Sequence, residues 1–298
     1  MKFDASNSID VVISAYNRPD ALLRALKSVQ AQEYPNWQCY VCEDGSSGEI
    51  KEVTDQFIAD KRIHYLPGSH LGFPAPARNR GIASGNGELI AFLDDDDQWQ
   101  PDKLAIQVEY MEKHRDCVLH CSNAFNWTQA KKQPEESSTY FASEFKAGNI
   151  AYKDLLAVNK IICSSAIVKR NVISLIGPFN EDSRLAAYED YELWLRCGLL
   201  GKIYYDSQPL VVYANFSPQS IRTGVDETEN KSRLAAVYRS VLEFLEADEL
   251  GIGERKKYRD FLQARISTIN NPEQTEKTSI LQRACCKLLS IYENITHR

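Results

Sequence analysis

Apolar runs of strand length that end in polar residues, each followed by a stretch with helical spacing, alternate through the first hundred residues. This order constrains the fold more than any other feature of the chain. IDVVISAY (9–16) precedes a segment from Pro19 in which Leu22, Leu26 and Val29 share one helical face. NWQCYVCEDG (36–45), RIHYL (62–66) and GELIAFLDDDD (87–97) read as the next three strands. Strands separated by helices imply a parallel, largely buried sheet, and in such sheets a ligand lies beyond the carboxyl ends of the strands. Asn17, Asp44 and the aspartates from 94 onward all follow a strand at that end. Three separate segments should therefore converge on one crevice.

Further along, Pro101 opens a predicted helix with Leu104, Val108 and Met111 on one face, and VLHCSNAF (118–125) reads as a strand. TQAKKQPEESS (128–138) is a polar loop, IICSSAIVKR (161–170) is strand-like, and YEDYELWLRCGLLG (188–201) is a helix opened by acids and stopped by glycines. Beyond about residue 230 only helical spacing remains. Leu234, Val237, Tyr238, Val241, Leu242 and Leu245 follow it, as do Leu281, Ala284, Cys285, Leu288, Leu289 and Tyr292. These patterns predict a domain over 1–225 and a C-terminal helical appendage over 226–298, with no internal repeat.

At 298 residues and 43% hydrophobic, the chain can bury a substantial core. Lys and Arg total 35 against 41 Asp and Glu, a net charge of −6, which supplies no basic field for nucleic acid. The opening MKFDASNSIDVVISAYN lacks the apolar core of a signal peptide, and no run of about 18 apolar residues suggests a membrane span, so a cytoplasmic chain is expected. The eight cysteines lie mostly in apolar segments, as reduced core thiols do. Cys39 and Cys42 form a CxxC, but on a strand a three-residue step sends the two side chains to opposite faces, which disfavours a metal or redox pair.

In AFLDDDDQWQPDKL (91–104), four consecutive aspartates repel one another unless a cation offsets them. Counted from Asp94, the glycine and glutamate positions of a calcium-binding EF-hand hold Trp99 and Ala105, so that loop is disfavoured. Hard oxygen ligands from one or two side chains, with the other positions open, suit Mg2+ or Mn2+ shared with a substrate phosphate. A solvated acidic turn is the plainer alternative.

The order VVISAYNRPDALLRALKSVQAQEYPNW, VCEDGSS, ARNRGIASGNGELIAFLDDDDQWQPDKL, YEDYELWLRCGLLGKIYY and PLVVY resembles the inverting family 2 nucleotide-sugar glycosyltransferases over residues 9 to 222. The resemblance implies a GT-A fold, a Rossmann-like, mostly parallel α/β sheet flanked by helices. It also implies transfer of a sugar from a nucleotide diphosphate donor, here expected to be UDP-linked, to a hydroxyl of a glycan or glycolipid acceptor. The DxD motif of the family maps onto Asp94, Asp95 and Asp96, with Asp96 as the direct Mn2+ or Mg2+ ligand and Asp94 against the nucleotide sugar. Asp44 maps onto the acid that contacts the base. The backbone at Ala15 and Tyr16 would meet base and ribose, with Asn17 and Arg18 opening the first helix. Arg78 and Asn79 match basic and amide positions, where an Arg reaches ribose or diphosphate oxygens. The paired acids map onto Glu189 and Asp190, Asp190 as the base that removes the acceptor proton and Glu189 orienting the site or acceptor. A single displacement of this kind inverts the anomeric carbon. By the same analogy the product is a bacterial envelope glycan, and the appendage would contact a partner or the inner face of the membrane.

Two stretches depart from the pattern. Many relatives place an Arg and, two residues later, a His after PLVVY, where this chain has Ala214, Asn215 and Phe216, and Arg222 is the candidate substitute. The acid that closes the DGSxD turn is displaced, with Gly48 in its place and Glu49 next. A binding protein of the same fold with impaired chemistry is therefore the competing class. A phosphoryl transferase ranks last, since neither GxGxxG nor GxxxxGK[ST] follows any strand.

Overall fold

The structure is a computed structural model that describes residues 7–45, 48–127, 138–142, 145–214, 225–247 and 254–270. The chain divides after Val225 into two units. In the first, β1 (Ile9–Ala15), α1 (Pro19–Gln30), β2 (Trp37–Glu43), α2 (Glu49–Asp55), β3 (Ile63–Leu66), α3 (Pro74–Ser84), β4 (Leu89–Asp94), β5 (Gln98–Trp99), α4 (Lys103–Lys113) and β6 (Cys117–Trp127) come first. They are followed by β7 (Gly148–Ile150), α5 (Tyr152–Ala157), β8 (Ile167–Lys169), α6 (Arg170–Ile176), α7 (Glu189–Cys197) and β9 (Lys202–Ala214). The second unit contributes α8 (Glu227–Glu246) and α9 (Arg255–Asn270).

The strands form one sheet in the order β3-β2-β1-β4-β8-β6-β9-β5, with β7 also on β9. The β3-β2-β1-β4 half is parallel, as is the β6-β9 pair, whereas β8 runs antiparallel between β4 and β6. β1 is central and fully flanked, which is why IDVVISA is apolar and β-branched rather than alternating. Pro19 sits at the start of α1, where a missing N–H costs nothing, and Leu22, Ala25, Leu26 and Val29 bury its inner face against Val11, Ile13 and Cys39. On the other face of the sheet, α3 lies so close that a Cβ on Gly81 would come within 2.6 Å of Val12 and 2.8 Å of the Cys42 sulfur. Cys39 and Cys42 thus face opposite sides, and the six described cysteines are buried and unpaired; Cys285 and Cys286 lie outside the described residues.

Register positions the site. Ser14 pairs with Asp94 and Ala15 with Glu43, so Tyr16, Asp44 and Asp95 leave the sheet at one edge. Three expectations change. The fourth strand was expected to run through Asp97, but it stops at Asp94, and the next three aspartates turn the chain into β5. IICSSAIVKR was expected as one strand. Instead Cys163–Ser165 form a 3-10 turn, only Ile167–Lys169 pair in the sheet, and Arg170 already begins α6. The reason is local hydrogen bonding, because the Ser164 hydroxyl accepts from Asp94 N (3.0 Å) and the Ser164 carbonyl accepts from Trp99 Nε1 (2.7 Å). The helix expected from Pro101 starts at Lys103, with Pro101 and Asp102 in a turn.

In the second unit, Asp226 caps α8 by accepting from Glu229 N at 2.8 Å, and Ala235, Val237, Tyr238, Val241 and Leu245 form its buried face. The helix expected around 281–292 and the loop 128–137 lie outside the described residues.

Candidate active site

The end of β1 turns sharply. Asn17 adopts a left-handed backbone with φ +49°, a conformation asparagine tolerates better than most residues, and it delivers Arg18 as the residue before α1. From there the guanidinium reaches the aspartate turn beyond β4. Nη2 lies 2.5 Å from Asp95 Oδ1, and Nη1 donates to Asp96 Oδ2. Asp95 is fully buried, and its second oxygen accepts from Tyr16 N at 3.0 Å, which ties the ends of β1 and β4 together. Burial pushes the Asp95 carboxyl up to about 7 against the opposing pull of Arg18.

The fourth aspartate has a different setting. Asp97 is buried and accepts from Ala214 N at 2.8 Å, at the end of β9. Burial, with the charges of Asp96 and Asp94 added, holds it well above the usual carboxylate range. Asp97 anchors the turn to β9, while Asp94 and Asp96 keep 29% and 19% of their side chains exposed and are the members a solute can reach.

Asp44 sits beyond β2 with its carboxylate engaged by a neighbouring loop. Oδ1 accepts from Leu71 N (2.8 Å), and Oδ2 accepts from Gly72 N (3.1 Å) and lies 3.0 Å from His70 Nδ1. The His70 ring stacks on Tyr16, centroids 4.3 Å apart and planes 14° apart. A side chain on Gly45 would collide with the His70 backbone, so this turn accepts only glycine. His70 carried no signal in the sequence beyond its place in a glycine-flanked loop.

Arg78, on α3, is nearly fully buried and bridges two distant segments. Nη2 donates to Asp94 Oδ1 at 2.6 Å and Nη1 to Glu189 Oε1 at 2.7 Å. Burial opposes its charge, yet the carboxylates of Asp94 and Glu189 hold it protonated, well above the ordinary range. Asn79 turns elsewhere. Its amide donates to Phe179 O and Glu181 Oε1, both at 2.8 Å, and its oxygen accepts from Phe179 N at 2.9 Å, so it pins the segment ahead of α7. That segment ends with Ala187 in the left-handed region at φ +69°, separated from the two acids by Tyr188 alone.

Glu189 and Asp190 open α7, both buried, where the helix dipole favours negative charge. Asp190 Oδ1 accepts from Tyr191 N at 2.6 Å. Glu189 Oε2 is buried without a hydrogen-bond partner among the described residues. Cys163 shares the electrostatic environment of Arg78, Asp94, Asp190 and Glu189, and burial pushes its thiol well above the ordinary range, so it is neutral there. Behind the turn, buried Lys103 donates to Gln107 Oε1 (2.7 Å) and lies 4.1 Å from the centre of the Trp99 ring, while Gln107 Nε2 donates to His120 Nδ1 (3.1 Å). Burial lowers Lys103 to about 7 and His120 to about 3.

Among the described residues no three His, Cys, Asp or Glu side chains converge as a ligand cage. The Asp94–Asp96 turn nevertheless has the chemistry for a hard divalent cation held by one or two carboxylates with substrate oxygens completing the sphere. Cationic groups already lie against all three of its acids. Ala214 is placed as described above, whereas Asn215, Phe216 and Arg222 lie outside the described residues. Glu49 opens α2. No helix among the described residues is long and apolar enough to cross a membrane.

The profile of Glycosyl transferase family 2 matches residues 10–174. An uncharacterized glycosyltransferase of Rickettsia felis is 33% identical over 190 residues, which span 63% of this chain and 29% of that protein. The chain thus spans under a third of the length of that relative. The Escherichia coli UDP-Glc:alpha-D-GlcNAc-diphosphoundecaprenol beta-1,3-glucosyltransferase WfgD is 28% identical over 187 residues, 63% of this chain and 68% of that protein. Among solved structures, Staphylococcus aureus TarS 1–349 in complex with UDP-GlcNAc superposes with a TM-score of 0.69 at 14% identity, covering 92% of this chain and 75% of that one. The mannosyltransferase PcManGT from Pyrobaculum calidifontis, in complex with GDP-Man and Mn2+, gives 0.56 at 14% identity, covering 97% and 84%. These two likenesses establish the GT-A architecture.

Proposed function

Because the chain belongs to glycosyl transferase family 2, we propose that it transfers a sugar from a UDP-linked donor to a hydroxyl of a glycan or lipid-linked glycan acceptor, with inversion at the anomeric carbon. The domain over 1–225 carries the reaction. The observation that carries this reading is the Asp94–Arg78–Glu189 bridge, which joins the strand-end aspartates to the paired acids of α7 across a single buried guanidinium. Donor and acceptor functions thereby share one crevice.

Support for the donor comes from the names of the relatives, UDP-Glc for WfgD and UDP-GlcNAc for the TarS complex. The base and ribose lie against Asp44, Tyr16 and the backbone at Ala15. Asp96, with Asp94 beside it, holds Mn2+ or Mg2+, whose charge would offset that developing on the diphosphate as the glycosidic bond breaks. Asn79 acts through the segment it pins rather than by touching the donor. The acceptor hydroxyl loses its proton to Asp190 as its oxygen attacks. Glu189 Oε2, buried without a hydrogen-bond partner among the described residues, supplies a hydrogen-bonding position for a second acceptor hydroxyl. The appendage over 226–298 contacts a partner or the inner face of the membrane, and the product belongs to the cell envelope. Calorimetric titration with UDP tests the donor site. Affinity should rise with Mn2+ over a chelator and lose that gain in Asp96→Asn, and equal affinity in both conditions refutes the metal assignment.

A further inference from the structure

We propose that Arg18 is the internal counter-ion of the aspartate turn and makes divalent-metal binding at Asp96 contingent on a nucleotide diphosphate; this rests on the metal reading of Asp96 given above. The guanidinium holds two carboxylates at once, Nη2 on Asp95 at 2.5 Å and Nη1 on Asp96. The two contacts are not equivalent. Asp95 is fully buried and also ties β4 to Tyr16 N, so no water can take the place of the guanidinium there. Asp96 is partly exposed and has solvent to fall back on. A metal approaching Asp96 therefore displaces Nη1 while Nη2 stays on Asp95.

That displacement has an unfavourable and a favourable half. Alone, the metal competes with a guanidinium that the fold holds against Asp96 from the start of α1, at high effective concentration. It also brings a second positive charge beside the guanidinium. A diphosphate relieves both, because its oxygens complete the metal sphere and accept the freed Nη1–H, which the planar fork of Arg presents without leaving Asp95. Arg78 cannot substitute, since both terminal nitrogens of its guanidinium are engaged by Asp94 and Glu189. Metal and nucleotide therefore bind cooperatively, and by linkage each raises the affinity for the other by the same factor.

The test measures Mn2+ affinity by electron paramagnetic resonance with and without UDP, in the wild type, Arg18→Gln and Arg18→Lys, with Asp96→Asn as the control. The wild type should bind Mn2+ weakly alone and more tightly with UDP. Arg18→Gln should bind Mn2+ alone on the order of tenfold more tightly than the wild type, with the UDP-induced gain reduced. Arg18→Lys retains the charge but cannot grip both acids, and should show a smaller change in the same direction. Circular dichroism establishes that each variant is folded; if Arg18→Gln is not, Arg18→Lys carries the decision. Unchanged or weaker Mn2+ binding in a folded variant, with UDP-dependent binding still abolished by Asp96→Asn, overturns the counter-ion role and leaves the metal site standing. No Mn2+ binding by the wild type under either condition overturns both.

Discussion

The acids at the strand ends and those at the start of α7 solve the same problem, placing carboxyl groups in a partly dry crevice, by different means. Asp95, Asp97 and Asp44 are held by groups brought to one sheet edge by register, namely Tyr16 N, Ala214 N and the backbone of 71–72. The first two ties link the ends of strands, and the third links the end of β2 to the loop ahead of α3. Glu189 and Asp190 instead sit at a helix start, where the dipole favours their charge, and Glu189 depends also on Arg78, which is itself shared with Asp94. The first group is held from several separate segments, while Glu189 leans on a buried cation and keeps Oε2 without a hydrogen-bond partner among the described residues. Under the proposed function, that difference suits a donor platform that stays fixed and a reactive acid that must exchange a proton.

The comparison is tested most severely at Asp190. Asn keeps the shape but cannot take the acceptor proton, so Asp190→Asn should lower turnover by about 10² to 10⁴ while UDP affinity stays within about twofold. Retained turnover with a competent donor and acceptor would place the base elsewhere. Next is Arg78→Met, which strands Glu189 as a buried charge and should cost about 3 to 5 kcal/mol in urea unfolding. A loss under about 1 kcal/mol would mean that the bridge does not hold the second group.

A smaller effect probes the backing of the strand-end turn. Lys103 has its ammonium depressed to about 7 by burial, below its unfolded value, so between these two values the unfolded chain binds more protons. Stability should therefore rise as pH increases through that window, by about 1 kcal/mol per unit, and Lys103→Met should flatten the rise. An equal slope in both proteins would remove Lys103 as its source. Smallest is Ala187→Gly, which relieves a left-handed alanine before α7 and should stabilise by about 1 kcal/mol. Destabilisation instead would show that the strain there is outweighed by the entropy glycine adds to the unfolded chain.

Much of the strand-end group was legible in the sequence because it is built from contiguous segments. An apolar run that stops at polar residues marks a strand end, and parallel pairing brings such ends together. Hence the convergence of the segments that carry Asn17, Asp44 and the aspartate run followed from order alone. What each acid touches did not. Four identical aspartates in a row gave no hint that Asp97 would anchor β9 while Asp96 stayed accessible. IICSSAIVKR looked like one strand because its residues are apolar and small, but Ser164 hydrogen-bonds Asp94 and Trp99, which bends the chain.

Local periodicity and the strand-end polar residues determined the α/β class, the parallel half-sheet and the location of the crevice, since these depend on each segment burying its own apolar face. Only the tertiary structure decided the partners. Arg78 meets Glu189 across 111 positions and Asn79 meets Phe179 across 100. Side-chain charge carries no directional record in sequence, and a guanidinium is committed only when folding excludes the water that would otherwise solvate it.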